Sequence, residues 1–121
     1  MKTILLVEDD ANVRKLVQRV LKNFGYNLLV AEDGPEALQL AAGYNESIQL
    51  LLTDVVMPGL SGKTLAEELK QTRPNLKILF MSGYTDNAIA HHGVLDPGTA
   101  FVQKPFSATI IAYKIREVLD G

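Results

Sequence analysis

The chain carries two short apolar runs, Ile4 to Val7 and Ile48 to Leu52, each followed by acids or turn residues. A strand that meets water on one face alternates apolar with polar residues, whereas one covered on both faces reads as a run. Runs of this length therefore point to a parallel sheet sandwiched between helices. Leu28 to Ala31, Leu76 to Met81 and Ala100 to Val102 are weaker versions, which brings the count to five strands.

Helical signals fall between them. Val13, Leu16, Val17, Val20, Leu21 and Phe24 repeat at spacings of three and four and stop at Gly25, which defines a first helix with one apolar stripe. Asp33, Pro35 and Glu36 have the spacing of a capping box with proline in the first turn, and Gly43 closes that second helix. A third runs from about Ser61 to Gln71 and stops before Pro74. A short fourth is expected from about Thr85 to His91, and a last one follows Ser107 with Ile111, Ile115, Val118 and Leu119 on one face. Strictly alternating strands and helices with short connections imply a doubly wound α/β fold, since a crossover between parallel strands needs a helix-sized segment.

At 121 residues, with 47% hydrophobic and 21% charged residues, the chain is expected to form one domain over residues 1–121. A net charge of -2 argues against a direct nucleic-acid reader or an anionic-membrane binder. The absence of cysteine removes disulfide frameworks and thiolate zinc sites and fits a reducing, cytoplasmic setting. The apolar stretch after Met1 is too short for a signal or membrane helix.

Ligands of doubly wound sheets sit beyond the carboxyl ends of the strands. The residues there are Glu8 and Asp9 after the first strand, Asp54 in the third, Ser82 after the fourth and Lys104 after the fifth. Three carboxylates within about 5 Å repel by roughly 3 kcal/mol per pair at an effective dielectric of about 20. A bound cation relieves that, and an all-oxygen donor set selects Mg2+ ahead of Mn2+ or Ca2+. With Lys104 and Ser82 facing it, a carboxylate beside such a cation has the surroundings of a nucleophile toward phosphorus, and its product is an acyl phosphate on Asp54.

Each residue also has an ordinary explanation. An acidic Glu8-Asp9-Asp10 triplet is commonly a solvated strand end, Asp10 suits the N-terminus of the first helix, Ser82-Gly83 suits a turn and Lys104 a surface. Their joint placement on one sheet edge is what favours chemistry. His91-His92 reads as a solvated helix end, Met57 and Met81 as turn or core residues, and Tyr113 as either a docking residue or a half-buried one.

ILLVEDD, LLTDVVMPGLSG, LFMSGYTD and FVQKPF, in this order and spacing, resemble the receiver domain of two-component response regulators over essentially the whole chain. The resemblance implies a CheY-like (flavodoxin-like) five-stranded sheet in order 2-1-3-4-5 with five flanking helices. It implies Asp54 as phosphoacceptor, Asp9 as a direct Mg2+ ligand, Glu8 as a second acid acting through water, and the Val56 carbonyl as a further ligand. Ser82 becomes the switch hydroxyl, Lys104 the phosphate partner and Phe101 the switch aromatic, with a cis bond before Pro105. A histidine kinase or histidine phosphotransfer domain becomes the phosphoryl donor. The domain then catalyses its own acylation in cis, and the surface of the fourth helix, fifth strand and fifth helix becomes the output. MPGLSG, MSGYTD and HHGVLDPG are most similar to receivers attached to hybrid sensor histidine kinases.

GVLDPGTAF departs from the usual lead into the fifth strand; Pro97 and Gly98 imply a turn, and a monomer or weak dimer is expected. Val56 and Tyr84, each two residues past a site residue, are expected to hinder water and prolong the phosphoryl lifetime. Two other functions compete. A haloacid-dehalogenase-type phosphohydrolase needs a second acid two residues beyond the nucleophile, where this chain has Val56. A receiver-like interaction module that is never phosphorylated commonly lacks one of the acids or the lysine, and here all are present.

Overall fold

A computed structural model describes residues 2–83 and 99–121. Within them the chain runs β1 (Thr3–Val7), α1 (Ala11–Asn23), β2 (Asn27–Ala31), α2 (Gly34–Gly43), β3 (Leu50–Asp54), α3 (Gly62–Thr72), β4 (Lys77–Ser82), β5 (Phe101–Gln103) and α4 (Ala108–Asp120). The expected helix near residues 85–91, the turn at 97–98, Tyr84 and His91-His92 lie outside the described residues. The last helix, fifth in the sequence reading, is therefore α4.

All strand pairs are parallel, and the sheet order is β2-β1-β3-β4-β5. Successive residues of a strand point to opposite faces, so each apolar run supplies two cores. Leu5, Val7, Leu51 and Phe80 face α2 and α3, where they meet Ala37, Ala41, Leu65 and Leu69. Ile4, Leu6, Leu50, Leu52, Leu79 and Met81 face α1 and α4, meeting Val17, Val20, Leu21, Ile111 and Ile115. This is why the runs lack alternation.

The helices start where the chain supplies a cap. Asp10 Oδ1 accepts from the Asn12 and Val13 amides, Asp33 Oδ1 from Glu36, and the Ser61 and Ser107 hydroxyls from Thr64 and Ile110. Asp10 is thus the N-cap of α1. Glu36 departs from a simple capping box: its carboxylate accepts from the Glu32 amide at 2.7 Å, binding the end of β2 to the first turn of α2.

Strand boundaries lie within two residues of expectation. The largest difference is at β3, which starts at Leu50; Ile48 lies in the connection, yet its side chain is buried in the α2/α3 core. Ser82 is the last residue of β4 and not the first after it. Met57 and Met81 are core residues, whereas Tyr113 is exposed to 68% and not half-buried.

Candidate functional site

β1 and β3 are neighbours at the centre of the sheet, so their carboxyl ends place Glu8 and Asp9 beside Asp54. Carboxylate oxygens of Glu8, Asp9 and Asp54 lie within 4.8 Å of one another. Glu8 is fully buried, Asp54 is 4% exposed and Asp9 is exposed, so the cluster opens to solvent on the Asp9 side. The Asp10 amide donates to Glu8 Oε2 at 3.2 Å, leaving Oε1 for the lysine.

Lys104 arrives from the far end of the chain just after β5, whose ladder with β4 extends to Gln103. Its Nζ stands 2.6 Å from Glu8 Oε1 and 2.5 Å from Asp54 Oδ1. The Lys104 amide donates to the Ser82 carbonyl at 2.7 Å, which draws lysine and serine to the same edge. The Lys104–Pro105 peptide is cis, in keeping with the sequence reading. Ser82 is buried, and Phe101 packs partly buried against the α2/α3 core.

The charges are unevenly satisfied. Burial, then the adjoining Glu8 carboxylate, pushes Asp54 up from 3.8 to about 8, with Lys104 pulling the other way. Burial alone would lower Lys104, but its hydrogen bonds to Asp54 and Glu8 hold it above the ordinary lysine value. Asp54 Oδ2 is buried with no hydrogen-bond partner. Two to three carboxylates against one ammonium, with one oxygen orphaned, is the electrostatic signature of a site that accepts a further cation.

The β3–α3 connection is held by close backbone approach. The Gly62 amide donates to the Val55 carbonyl at 2.8 Å, and a Cβ on Gly62 would stand 1.7 Å from the Asp54 carbonyl oxygen. Gly59 takes φ +83°, the turn that starts the chain back toward α3. Val56, between Asp54 and this turn, exposes 62% of its surface. The sequence carries no signal for this role of Gly62 beyond a glycine at the start of a helix.

Acids, a lysine and a serine thus gather at the carboxyl edge of a doubly wound sheet, where such folds bind their ligands. The chain belongs to the response regulator receiver domain family, whose profile matches residues 4–116, and it is a phosphoacceptor domain of two-component signalling. It is 38% identical over 118 residues to the sensor kinase CckA of Brucella abortus (strain 2308), an alignment covering 98% of this chain and 12% of that protein. The response regulator receiver protein CpdR of the same organism is 32% identical, with 98% of each chain covered. The chain also spans 43% of the transcriptional regulatory protein YrkP of Bacillus subtilis (strain 168), at 36% identity over 86% of this chain. Among solved structures, the receiver domain of the hybrid histidine kinase CckA superposes with a TM-score of 0.81 at 34% identity, covering 97% of this chain and 98% of that one.

Proposed function

We propose that Asp54 takes a phosphoryl group from the phosphohistidine of a histidine kinase or histidine phosphotransfer domain, in a Mg2+-dependent reaction catalysed in cis. The observation that carries this reading is Asp54 itself: a nearly buried carboxylate with Oδ1 on Lys104 and Oδ2 without a partner, clustered with Glu8 and Asp9.

Glu8, Asp9 and Asp54 are the residues that would hold the metal, with the backbone oxygen of Val56 as a fourth protein donor. The donor set fits a hard divalent ion, Mg2+ with Mn2+ as the alternative, because it is all oxygen and contains no imidazole or thiolate. When bound, the ion supplies positive charge that lowers Asp54 toward its ionised form and offsets the charge of the incoming phosphoryl oxygens.

The chain's own groups do the rest. An Asp54 oxygen attacks phosphorus, the P–O bond forms as the P–N bond to the donor histidine breaks, and the imidazole leaves with the bonding electron pair. Lys104 Nζ, already on Asp54, neutralises an oxygen of the transferred group, and the Ser82 hydroxyl donates to another. Drawing Lys104 and Ser82 toward the phosphoryl group shifts β4 and β5, with Phe101 turning inward behind Ser82. Among the described residues the output surface lies on β5 and α4. Similarity to CckA supports a place in, or beside, a hybrid histidine kinase, with the kinase activity in another domain. The working state is a monomer or weak dimer in the cytoplasm.

Beryllofluoride with Mg2+ mimics an acyl phosphate and separates this reading from that of a silent interaction module. Amide resonances of Asp54, Ser82 and Phe101–Lys104 are expected to shift and saturate only with Mg2+ present, and not in Asp54→Asn. A folded, Mg2+-bound wild type that shows no such shift would contradict it.

A further inference from the structure

Arg14 lies in the first turn of α1, outside the acid cluster, yet its side chain is only 15% exposed. Its Nη1 donates to the Glu8 carbonyl at 2.9 Å, and its Nη2 stands 3.2 Å from Glu32 Oε1. Glu32 is anchored in turn, its amide donating to Glu36 Oε1 in the first turn of α2. One planar guanidinium therefore ties the end of β1 to the end of β2 and, through it, to α2. The peptide it grips is the one that joins Glu8 to Asp9.

We propose that Arg14 is a positioning residue for the divalent-cation site, holding the Glu8–Asp9 peptide so that both carboxylates converge on Asp54. The inference rests on the cation site proposed above. The Arg14–Glu32 pair contributes little by itself, because its Glu32 end is largely solvated. The bond to the Glu8 carbonyl is different, because a rotation of that peptide swings the exposed Asp9 away from the buried Glu8. Groups that orient metal ligands from outside the coordination sphere commonly change affinity by tenfold or more when removed.

The sign of the effect separates positioning from simple charge. Arg14 is a cation beside an acidic cluster, so by Coulomb's law its removal should tighten the binding of another cation. Positioning demands the opposite.

The test is a Mg2+ titration of the folded protein, read from the amide shifts of Glu8, Asp9 and Asp10, with urea stability measured in parallel. Arg14→Met keeps the aliphatic packing and helix propensity and is expected to weaken Mg2+ about tenfold. Arg14→Lys, with a single donor nitrogen at the same charge, and Arg14→Gln, with a donor but no charge, should both fall between Met and wild type. An unchanged or tighter dissociation constant in Arg14→Met overturns the proposal, even if urea stability falls. Should Arg14→Met not fold, Lys and Gln decide: weaker binding in both supports positioning, and wild-type affinity in either overturns it. If wild type itself binds no Mg2+, the cation site fails and this proposal with it.

Discussion

Replacing Asp54 with asparagine removes a carboxyl whose ionised form is disfavoured by burial and by the adjoining Glu8 carboxylate. An acid whose folded pKa is raised binds its proton more tightly in the native state than in the unfolded one. Its neutral form is therefore accommodated at low pH, and native stability is lost as pH rises from 3.8 to about 8, after which the loss is constant. At about 1.4 kcal/mol per factor of ten, the full interval corresponds to a ceiling of about 6 kcal/mol. Water entering on the Asp9 side screens part of it, and a gain of about 2 kcal/mol for Asp54→Asn is expected. Lys104 keeps its 2.6 Å bond to Glu8 in the variant, so no new unpaired charge offsets the gain. Urea unfolding of both proteins in a chelator, at about pH 5 and about pH 8.5, measures the difference and cancels the titrating groups that do not touch Asp54. The asparagine advantage should grow with pH, and saturating Mg2+ should erase most of it by stabilising the wild type alone. An advantage that is absent at high pH, or independent of pH, would refute the electrostatic reading of Asp54.

Further changes at the same edge have distinct expected outcomes. Lys104→Met leaves the buried Glu8 and Asp54 without their shared counter-ion, so thermal melts in a chelator should show a loss of about 3 kcal/mol that Mg2+ partly restores. Gly62→Ala forces a Cβ to 1.7 Å from the Asp54 carbonyl and should cost more than about 3 kcal/mol in urea midpoint analysis, whereas Gly43→Ala, with open space around its Cβ, should change stability by less than about 0.5 kcal/mol. Val56→Asn should leave stability within about 0.5 kcal/mol, because the side chain is largely solvated, while shortening the phosphoryl half-life followed by intact mass after donor removal. An unchanged half-life would remove Val56 as a barrier to water.

The architecture was legible because burial on both faces leaves an unmistakable mark. Leu5 and Leu51 face one helix layer and Ile4, Leu6, Leu50 and Leu52 the other, so the runs in β1 and β3 carry no alternation. The same rule misplaced the start of β3, since Ile48 is buried from a connection and apolar character alone does not separate a strand from a packed loop. The cap at Asp33 was readable from local spacing, and the helix starts near Asp10, Ser61 and Ser107 were legible without the capping bonds those residues make. The reach of Glu36 to Glu32 was not, because it depends on how β2 meets α2. At the site, strand-end chemistry and family resemblance together pointed to the acids, Ser82 and Lys104. Lys104 converges on Glu8 across 96 residues of sequence, a contact that only the sheet order creates. Arg14 and Gly62 act through backbone groups, a carbonyl for one and a steric approach for the other, and backbone partners leave no imprint on residue spacing.

Whether Asp54 accepts a phosphoryl group with the help of a divalent cation is decided by intact mass after incubation with acetyl phosphate, with Mg2+ or with a chelator. Wild type should gain one phosphoryl group only when Mg2+ is present, and Asp54→Asn should gain none. A folded wild type that binds Mg2+ yet gains no mass, or an Asp54→Asn variant that gains it equally, would show that Asp54 is not the acceptor.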